Sequence, residues 1–276
     1  MRMLGDAPGE VGAAIRYSLL GEGKRLRAVL VNAAYAAAGG TGDVSALAAA
    51  VEVVHAYSLV HDDLPCMDDD DMRRGRPTTH IVYGVHVATA AGLAMVPLAA
   101  RTAAAAARDL GLDAAATGHI VRELMGAAGG AGMIGGQLLD LEGEGRPLAL
   151  ADLERIHRLK TGALDHGVGV RSEAWRRGAS PMQMAAFTRY GASIGLAFQI
   201  ADDVLDVTAT TDQLGKTAGR DIALAKSTYP ALLGIDGAVA RAEALVEEGC
   251  AALQTAGLLT PQLEHLARYL RRSWQS

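Results

Sequence analysis

Apolar residues recur at intervals of three and four along most of the chain, which is the spacing of one face of an α-helix. This pattern predicts helices over about residues 26–38, 82–108, 113–128 and 236–273, with breaks at the glycine-rich stretch 39–42 and near 257–261. Asp43 and Asp152 are predicted N-caps of two further helices. Pro181 is predicted to start a helix that leads into a second helical stretch after residue 190. The sequence therefore predicts an all-α protein.

One of these helices has an apolar face that ends in polar groups. The face consists, in order along the chain, of Val44, Leu47, Val51, His55, Ser58 and Asp62. A histidine on an apolar face is commonly a core residue, but this one lies two turns before an acidic cluster. Both interpretations of His55, core residue and site residue, stay open at this point.

Composition narrows the class of protein. Half of the 276 residues are apolar, only 4% are aromatic, and the net charge of −5 argues against a nucleic-acid surface. Two cysteines give no disulfide framework and fit a reducing cytoplasm. The apolar stretch 85–107 is interrupted by His86, Pro97 and Arg101, which predicts a buried helix pair kinked at the proline instead of a membrane span. We expect a soluble cytoplasmic protein without stable membrane insertion.

The densest charge lies between His61 and Arg76. Six aspartates fall within ten residues, namely Asp62, Asp63, Asp68, Asp69, Asp70 and Asp71, and three arginines follow, namely Arg73, Arg74 and Arg76. A solvated acidic turn is the simpler interpretation. However, the segment before the cluster is strongly apolar, and carboxylates that bind hard cations beside guanidinium groups suit a metal-bridged phosphate ligand.

A second acidic pair ends a second apolar helix. Gly195, Gln199, Asp202 and Asp206 fall on one helical face, and basic residues follow at Lys216, Arg220 and Lys226. Two such helix ends that face each other would hold several divalent ions between them.

Weaker signals lie elsewhere. Lys24 and Arg27 share a face at a helix start, which suits a bound anion but also an exposed basic turn. Gln137 and Asp140 share a face as well, after the glycine-rich segment 126–136, which we interpret as close helix packing or a bend. Lys160 near a helix end is favoured by the helix dipole and says little alone.

Taken together, these motifs resemble the trans-isoprenyl diphosphate synthase family, the polyprenyl synthetases. The resemblance rests on Gly-Lys-Arg-Leu-Arg at 23–27, the aspartate motif at 62–68 followed by Arg-Arg-Gly at 73–75, Lys-Thr-Gly at 160–162, the motif at 199–206 and Lys-Ser-Thr-Tyr-Pro at 226–230.

The resemblance implies one polyprenyl synthetase domain over residues 1–276. Its fold would be an isoprenoid-synthase-type helical bundle around a central active-site cavity, in a homodimer. About three Mg²⁺ ions would bind to oxygen ligands, and by motif position these are Asp62, Asp63, Asp68, Asp202 and Asp206. The diphosphate of isopentenyl diphosphate would bind to Lys24, Arg27, His55 and Arg74. The allylic diphosphate would bind to Arg73, Lys160, Lys216 and Lys226, with Thr161 and Gln199 lining the path between the substrates.

The implied reaction is ionisation of the allylic diphosphate, attack by isopentenyl diphosphate and loss of a proton. The position five residues before Asp62 resembles the family's product-length gate, and here it is Tyr57, with Ser58 beside it. A bulky gate predicts farnesyl diphosphate, with geranylgeranyl diphosphate as the alternative product. The chain departs from the family pattern at Ala28, at Leu93 and at Asp165-His166.

Three other readings are open. The pair His61-Asp62 also occurs in metal-dependent phosphohydrolases, but these do not need the second acidic face. A non-catalytic prenyl-synthase-like subunit tends to lack one acidic motif, whereas both are present here. A terpene cyclase shares the metal chemistry but seldom carries the basic residues predicted for isopentenyl diphosphate.

Overall fold

The computed structural model describes residues 9–162, 180–210 and 226–273, with side chains described as far as residue 269. These ranges are mostly helical, which confirms the predicted fold class. The helices are α1 (Gly9–Leu19), α2 (Leu26–Ala37), α3 (Ser45–Asp62), α4 (Thr79–Tyr83), α5 (Val85–Asp109), α6 (Ala114–Ala128), α7 (Met133–Gly143), α8 (Leu150–His157), α9 (Pro181–Thr208), α10 (Tyr229–Thr255) and α11 (Pro261–Ser273). A π-helical turn, Arg158–Gly162, extends α8, and the strands β1 (Met72–Arg73) and β2 (Arg76–Pro77) form a short antiparallel hairpin.

One core cluster forms around α3 and α5. Val51, Met95 and Leu124 are fully buried there, and small alanines on α5 allow the two helices to approach closely. The predicted kinked helix pair is wrong, because α5 runs through Pro97 as one helix and the break falls earlier, at Gly84 with φ +81°. Helix α5 is long and apolar enough to cross a membrane, but half of its most apolar window is buried inside the protein.

A second core cluster forms where α9 and α10 pack along each other. Ile200 and Leu253 are fully buried between them, and the Tyr190 hydroxyl donates to the Leu263 carbonyl at 2.7 Å. Helix α9 starts with a capping box between Ser180 and Gln183 and continues as one helix to Thr208. This length presents the whole second acidic motif on one rigid element.

The two predicted N-caps are wrong. The α3 helix begins one residue later, with Val44 at the N-cap, and the Asp43 carboxylate accepts from the Ser45 N–H at 2.8 Å. Helix α8 begins at Leu150, so Asp152 lies in its first turn and does not cap it. Each helix begins within a few residues of the start predicted from its aspartate, which is the usual uncertainty of helix ends.

The glycine-rich segment performs the role predicted for it. Helix α6 ends at Ala128, a short turn follows, and α7 begins at Met133. A Cβ atom at Gly136 would overlap the backbone of Lys160, so only glycine allows α7 to lie this close to the π-helical turn. The close approach brings Asp140 of α7 to Lys160.

Candidate active site

The first acidic motif is held in place by the β-hairpin that follows it. Arg74 and Gly75 both have positive φ, as a two-residue hairpin turn requires, and this turn sends adjacent arginines in different directions. Arg73 Nε donates to Asp63 Oδ1 at 2.7 Å, and its guanidinium also lies 3.8 Å from Asp70. Asp63 is 3% exposed, and burial raises the pKa of its carboxyl although Arg73 opposes that shift.

Both acidic motifs open onto one cavity of about 170 Å³. Its walls consist of Asp62, Asp68, Asp70, Arg73, Asp140, His157, Lys160, Gln199, Asp202, Asp203, Lys226, Ser227 and Thr228. The structure therefore brings together three of the five predicted metal ligands with two of the predicted lysines. Asp63 and Asp206, the other two predicted ligands, are buried and do not line this cavity.

The lysines bridge the acidic groups. Lys226 Nζ donates to Asp68 Oδ1 at 3.1 Å and to Asp140 Oδ2 at 3.2 Å, and Lys160 Nζ donates to the same oxygen of Asp140 at 2.7 Å. Although burial raises the pKa of Asp140, the two ammonium groups outweigh it and lower that pKa to about 2. Sequence reasoning missed Asp140 as a site residue, because one carboxylate three residues after a glutamine has no visible partner in the sequence.

Asp62 lies where negative charge is poorly compensated. Burial raises the pKa of its carboxyl to about 6, and Lys160 offsets only part of that effect. Within residues 9–162, 180–210 and 226–273, no three acidic, histidine or cysteine side chains converge as a single metal site. The donors that face the cavity are nevertheless hard carboxylate oxygens, the ligands that Mg²⁺ prefers.

Neutral polar groups adjoin the charged ones. Thr161 Oγ1 donates to Gln199 Oε1 at 2.8 Å, which joins the π-helical turn to α9. Asp203 Oδ2 accepts from the Tyr229 N–H at 3.1 Å and lies 3.6 Å from Nε2 of His157. The sequence analysis did not single out Asp203 or His157, and their contacts tie α8, α9 and α10 together at the cavity wall.

A basic cluster lies beside the first motif. Arg74 Nη1 donates to the Glu22 carbonyl at 2.8 Å, and a Cβ atom at Gly23 would overlap this guanidinium. Burial lowers the pKa of His55 well below its ordinary value, and the charges of Arg27 and Arg74 lower it further. The structure thus gathers His55, Arg27 and Arg74, while Lys24 in the same turn lies exposed, 5.6 Å from the Tyr269 ring.

Glu52 supports this basic cluster, and the sequence analysis did not identify it. Its Oε1 accepts from the N–H of Ala28 at 3.0 Å, and Oε2 lies 3.7 Å from Arg25. Arg25 is the N-cap of α2, has φ 50° and makes no side-chain capping bond. Because Glu52 accepts one of the otherwise unsatisfied N–H groups of the first turn, α3 caps α2 from outside.

Tyr57 is 4% exposed and packs into the core on α3, five positions before Asp62. Its ring meets that of His61 edge to face, with 5.3 Å between centroids. His61 in turn lies against α5, where a Cβ atom at Gly92 would overlap its imidazole. Neither Tyr57 nor Ser58 lines the charged cavity described above.

The remaining sequence-based predictions fall elsewhere. Lys216 and the pair Asp165-His166 lie outside the described residues. Leu93 is 63% exposed on α5 and does not border the charged cavity.

Comparison with known proteins gives concordant matches. The profile of the Polyprenyl synthetase family matches residues 9–254. The farnesyl diphosphate synthase of Escherichia coli is 46% identical over 261 residues, which cover 93% of this chain and 87% of that enzyme. The geranylgeranyl diphosphate synthase of Cyanophora paradoxa is 42% identical over 237 residues, 85% of this chain and 78% of that enzyme. A Helicobacter pylori geranyltransferase, solved with magnesium and isoprenyl diphosphate, superposes with a TM-score of 0.82 and 30% identity, covering 96% of this chain and 88% of that one.

Proposed function

Since the chain belongs to the polyprenyl synthetase family, we propose that this trans-prenyltransferase condenses isopentenyl diphosphate with dimethylallyl and geranyl diphosphates to give farnesyl diphosphate. The observation that carries the proposal is the cavity where carboxylates of both acidic motifs meet Lys160 and Lys226. Such an arrangement suits a substrate that is strongly anionic at one end.

The two diphosphates are assigned to different basic groups. We assign isopentenyl diphosphate to the cluster of Lys24, Arg27, His55 and Arg74, because three of these residues lie together beside the first motif and the fourth is in the adjoining turn. We assign the allylic diphosphate to Arg73, Lys160 and Lys226, which line the acidic cavity, and to Lys216. The hairpin turn supports this division, because it directs Arg73 and Arg74 to different surroundings.

The carboxylates suit Mg²⁺, and the related Helicobacter pylori geranyltransferase was solved with magnesium. Asp62, Asp68 and Asp202 would hold it at the cavity, with Asp63 and Asp206 beside them, since hard oxygen donors meet there and Asp62 lacks sufficient positive charge. When bound, Mg²⁺ supplies positive charge that stabilises the departing diphosphate.

The residues of the chain contribute to each stage of the reaction. As the allylic C–O bond breaks, its electron pair leaves with the diphosphate, and the ammonium groups of Lys160 and Lys226 stabilise the negative charge. Thr161 follows Lys160 directly and bonds to Gln199, and we assign this neutral pair to the path between the two substrates. The double bond of isopentenyl diphosphate then attacks the cation, and a proton is lost to the departed diphosphate.

Incubation of the protein with isopentenyl diphosphate, Mg²⁺ and each allylic diphosphate in turn tests the proposal. We expect extension that stops at fifteen carbons when product length is measured by mass spectrometry. Asp62→Ala should lower the rate by about 10²–10³ or more, because it removes one electrostatic stabiliser of the departing group. Failure of the wild-type protein to extend any starter would favour a non-catalytic subunit or a metal-dependent phosphohydrolase.

Product length depends, in this proposal, on Tyr57. Its ring is buried and braced by His61, so it blocks growth toward the core. Tyr57→Ala should lengthen the product, whereas an unchanged profile would locate the gate elsewhere. The relatives include synthases named for both farnesyl and geranylgeranyl products, so a twenty-carbon wild-type product is the second candidate.

We also propose a cytoplasmic homodimer. Ile134 and Leu138 lie one turn apart on α7 and are each at least half exposed, so they offer an apolar surface to a second copy. Light scattering of wild-type protein and Leu138→Glu should show a dimer and a monomer, respectively. A monomeric wild-type protein would contradict this part of the proposal.

A further inference from the structure

Gln137 is a buried amide that the residues assigned so far leave unexplained. It is 9% exposed, and among the described residues neither its amide oxygen nor its amide nitrogen has a hydrogen-bond partner. A buried polar group without a partner destabilises the folded state, so such groups are rare in native proteins. This makes Gln137 a candidate for contact with a bound ligand.

Gln137 lies on the buried side of α7 near Asp140, although its side chain does not itself line the charged cavity. Met133 and Gly136 are buried on the same side of the helix, whereas Ile134 and Leu138 are exposed on the other side. Helical geometry puts Gln137 about 60° around the helix from Asp140 and about 4.5 Å before it along the axis. Asp140 itself lines the cavity and binds both lysines.

The neighbouring polar groups are already engaged. Thr161 and Gln199 bond to each other, and Asp140 accepts from Lys160 and Lys226. Gln137 is thus an amide next to this network without a bond to it. Gln137 precedes Asp140, the partner of both lysines, by less than one helical turn.

We propose that Gln137 contacts the allylic substrate, with its amide oxygen directed at the carbons on which positive charge develops. When the C–O bond breaks, the electron pair leaves with the diphosphate, and the oxygen end of the amide dipole stabilises the cation that remains. This inference rests on the proposed function and adds a substrate contact to it. In the free protein, the Gln137 amide has no hydrogen-bond partner among the described residues, which lowers the stability of the folded state.

Substitution of Gln137 by methionine tests the inference, because methionine has a similar length and no amide. We expect Gln137→Met to lower kcat by on the order of 10²-fold, to leave the KM for isopentenyl diphosphate unchanged, and to leave the Tm of the free protein equal or higher. The matched control is Gln254→Met, the same change at an exposed position on α10, which should alter none of the three. A purely structural glutamine would instead give a lower Tm.

The measured kcat and Tm distinguish a substrate contact of Gln137 from a purely structural role. A wild-type kcat in Gln137→Met, or a clear fall in its Tm, overturns the inference, since the fall would show that the amide has a protein partner. Gln137→Asn is a second variant that keeps the amide but withdraws it by one methylene, and it must show the same fall in kcat with a normal KM for isopentenyl diphosphate. An inactive wild-type protein overturns the proposed function and this inference together, whereas an active wild type beside an equally active variant overturns this inference alone.

Discussion

The charge of Asp140 should stabilise the free protein measurably, and Asp140→Asn isolates that charge. The difference between the ordinary pKa of 3.8 and the pKa of about 2 in the folded protein corresponds to about 2.5 kcal/mol of unfolding free energy at neutral pH. Exposed ion pairs contribute about 0–1 kcal/mol, and breaking a fully buried pair costs about 3–5 kcal/mol. The value for Asp140 lies between these two ranges, which fits a carboxylate whose side chain is 18% exposed and that accepts hydrogen bonds from two lysines.

Urea unfolding followed by circular dichroism, in EDTA, measures this difference. A carboxylate with a lowered pKa stabilises the folded state fully above its unfolded pKa, and that stabilisation is lost as the pH falls from about 4 toward 2. Wild type and Asp140→Asn should therefore differ by about 2.5 kcal/mol at pH 7 and by about half of that at pH 3. Asp109→Asn, an exposed change at the end of α5, should stay within about 0.5 kcal/mol of wild type at both values.

Either of two results would refute this reasoning. A variant as stable as wild type at pH 7 would show that the lysines do not depend on Asp140 for compensation. A difference that stays unchanged at pH 3 would show that packing, and not the carboxylate charge, is lost in the variant.

Three further changes test other contacts. Gly92→Ala should destabilise the protein by about 1–3 kcal/mol in thermal unfolding, because the added Cβ overlaps the His61 ring. The control is Gly118→Ala, also in a helix, where the added Cβ contacts only a flexible arginine side chain, so this variant should not be destabilised. Asp62→Asn should be more stable than wild type in EDTA at pH 7, since the raised pKa of about 6 makes the folded state lose stability as Asp62 ionises. That gap should narrow by about 1 kcal/mol at pH 5, and a gap independent of pH would exclude the carboxyl charge as its cause. Glu52→Gln should raise the KM for isopentenyl diphosphate several-fold and leave the KM for the allylic substrate unchanged, because it weakens only the contacts of Glu52 with Arg25 and the Ala28 N–H. Equal effects on both KM values would contradict the assignment of isopentenyl diphosphate to the basic cluster.

The parts of the site that could be predicted from sequence are those whose functional residues stand close together along the chain. Asp62 and Asp68 lie in one motif, Asp202 lies in another, and each motif ends an apolar helix. That pattern predicts two helix ends, and the structure brings both to the same cavity. The all-α fold follows similarly from helical spacing and abundant alanine.

The parts that could not be predicted depend on distant partners. Asp140 becomes a site residue only because α7 lies against the π-helical turn, and Lys226 reaches it across 86 positions of the chain. Glu52 looks like one polar residue on an apolar helix until the first turn of α2 is placed against it. The break at Gly84 could not be predicted because Pro97 is the stronger helix-breaking signal in the sequence, yet the helix continues through it.

The π-helical turn at Arg158–Gly162 makes the site sensitive to chain length at one point. A turn closed over five residues lets Lys160 and Thr161, which are consecutive, reach Asp140 and Gln199 on two different helices. Deletion of one residue from this turn would restore ordinary α-helical winding and rotate one of the two side chains away from its partner. If the deleted residue precedes Lys160, the Lys-Thr-Gly motif stays intact. A comparison of sequences by motif would then find the shortened chain complete, although one of the contacts Lys160–Asp140 and Thr161–Gln199 would be lost.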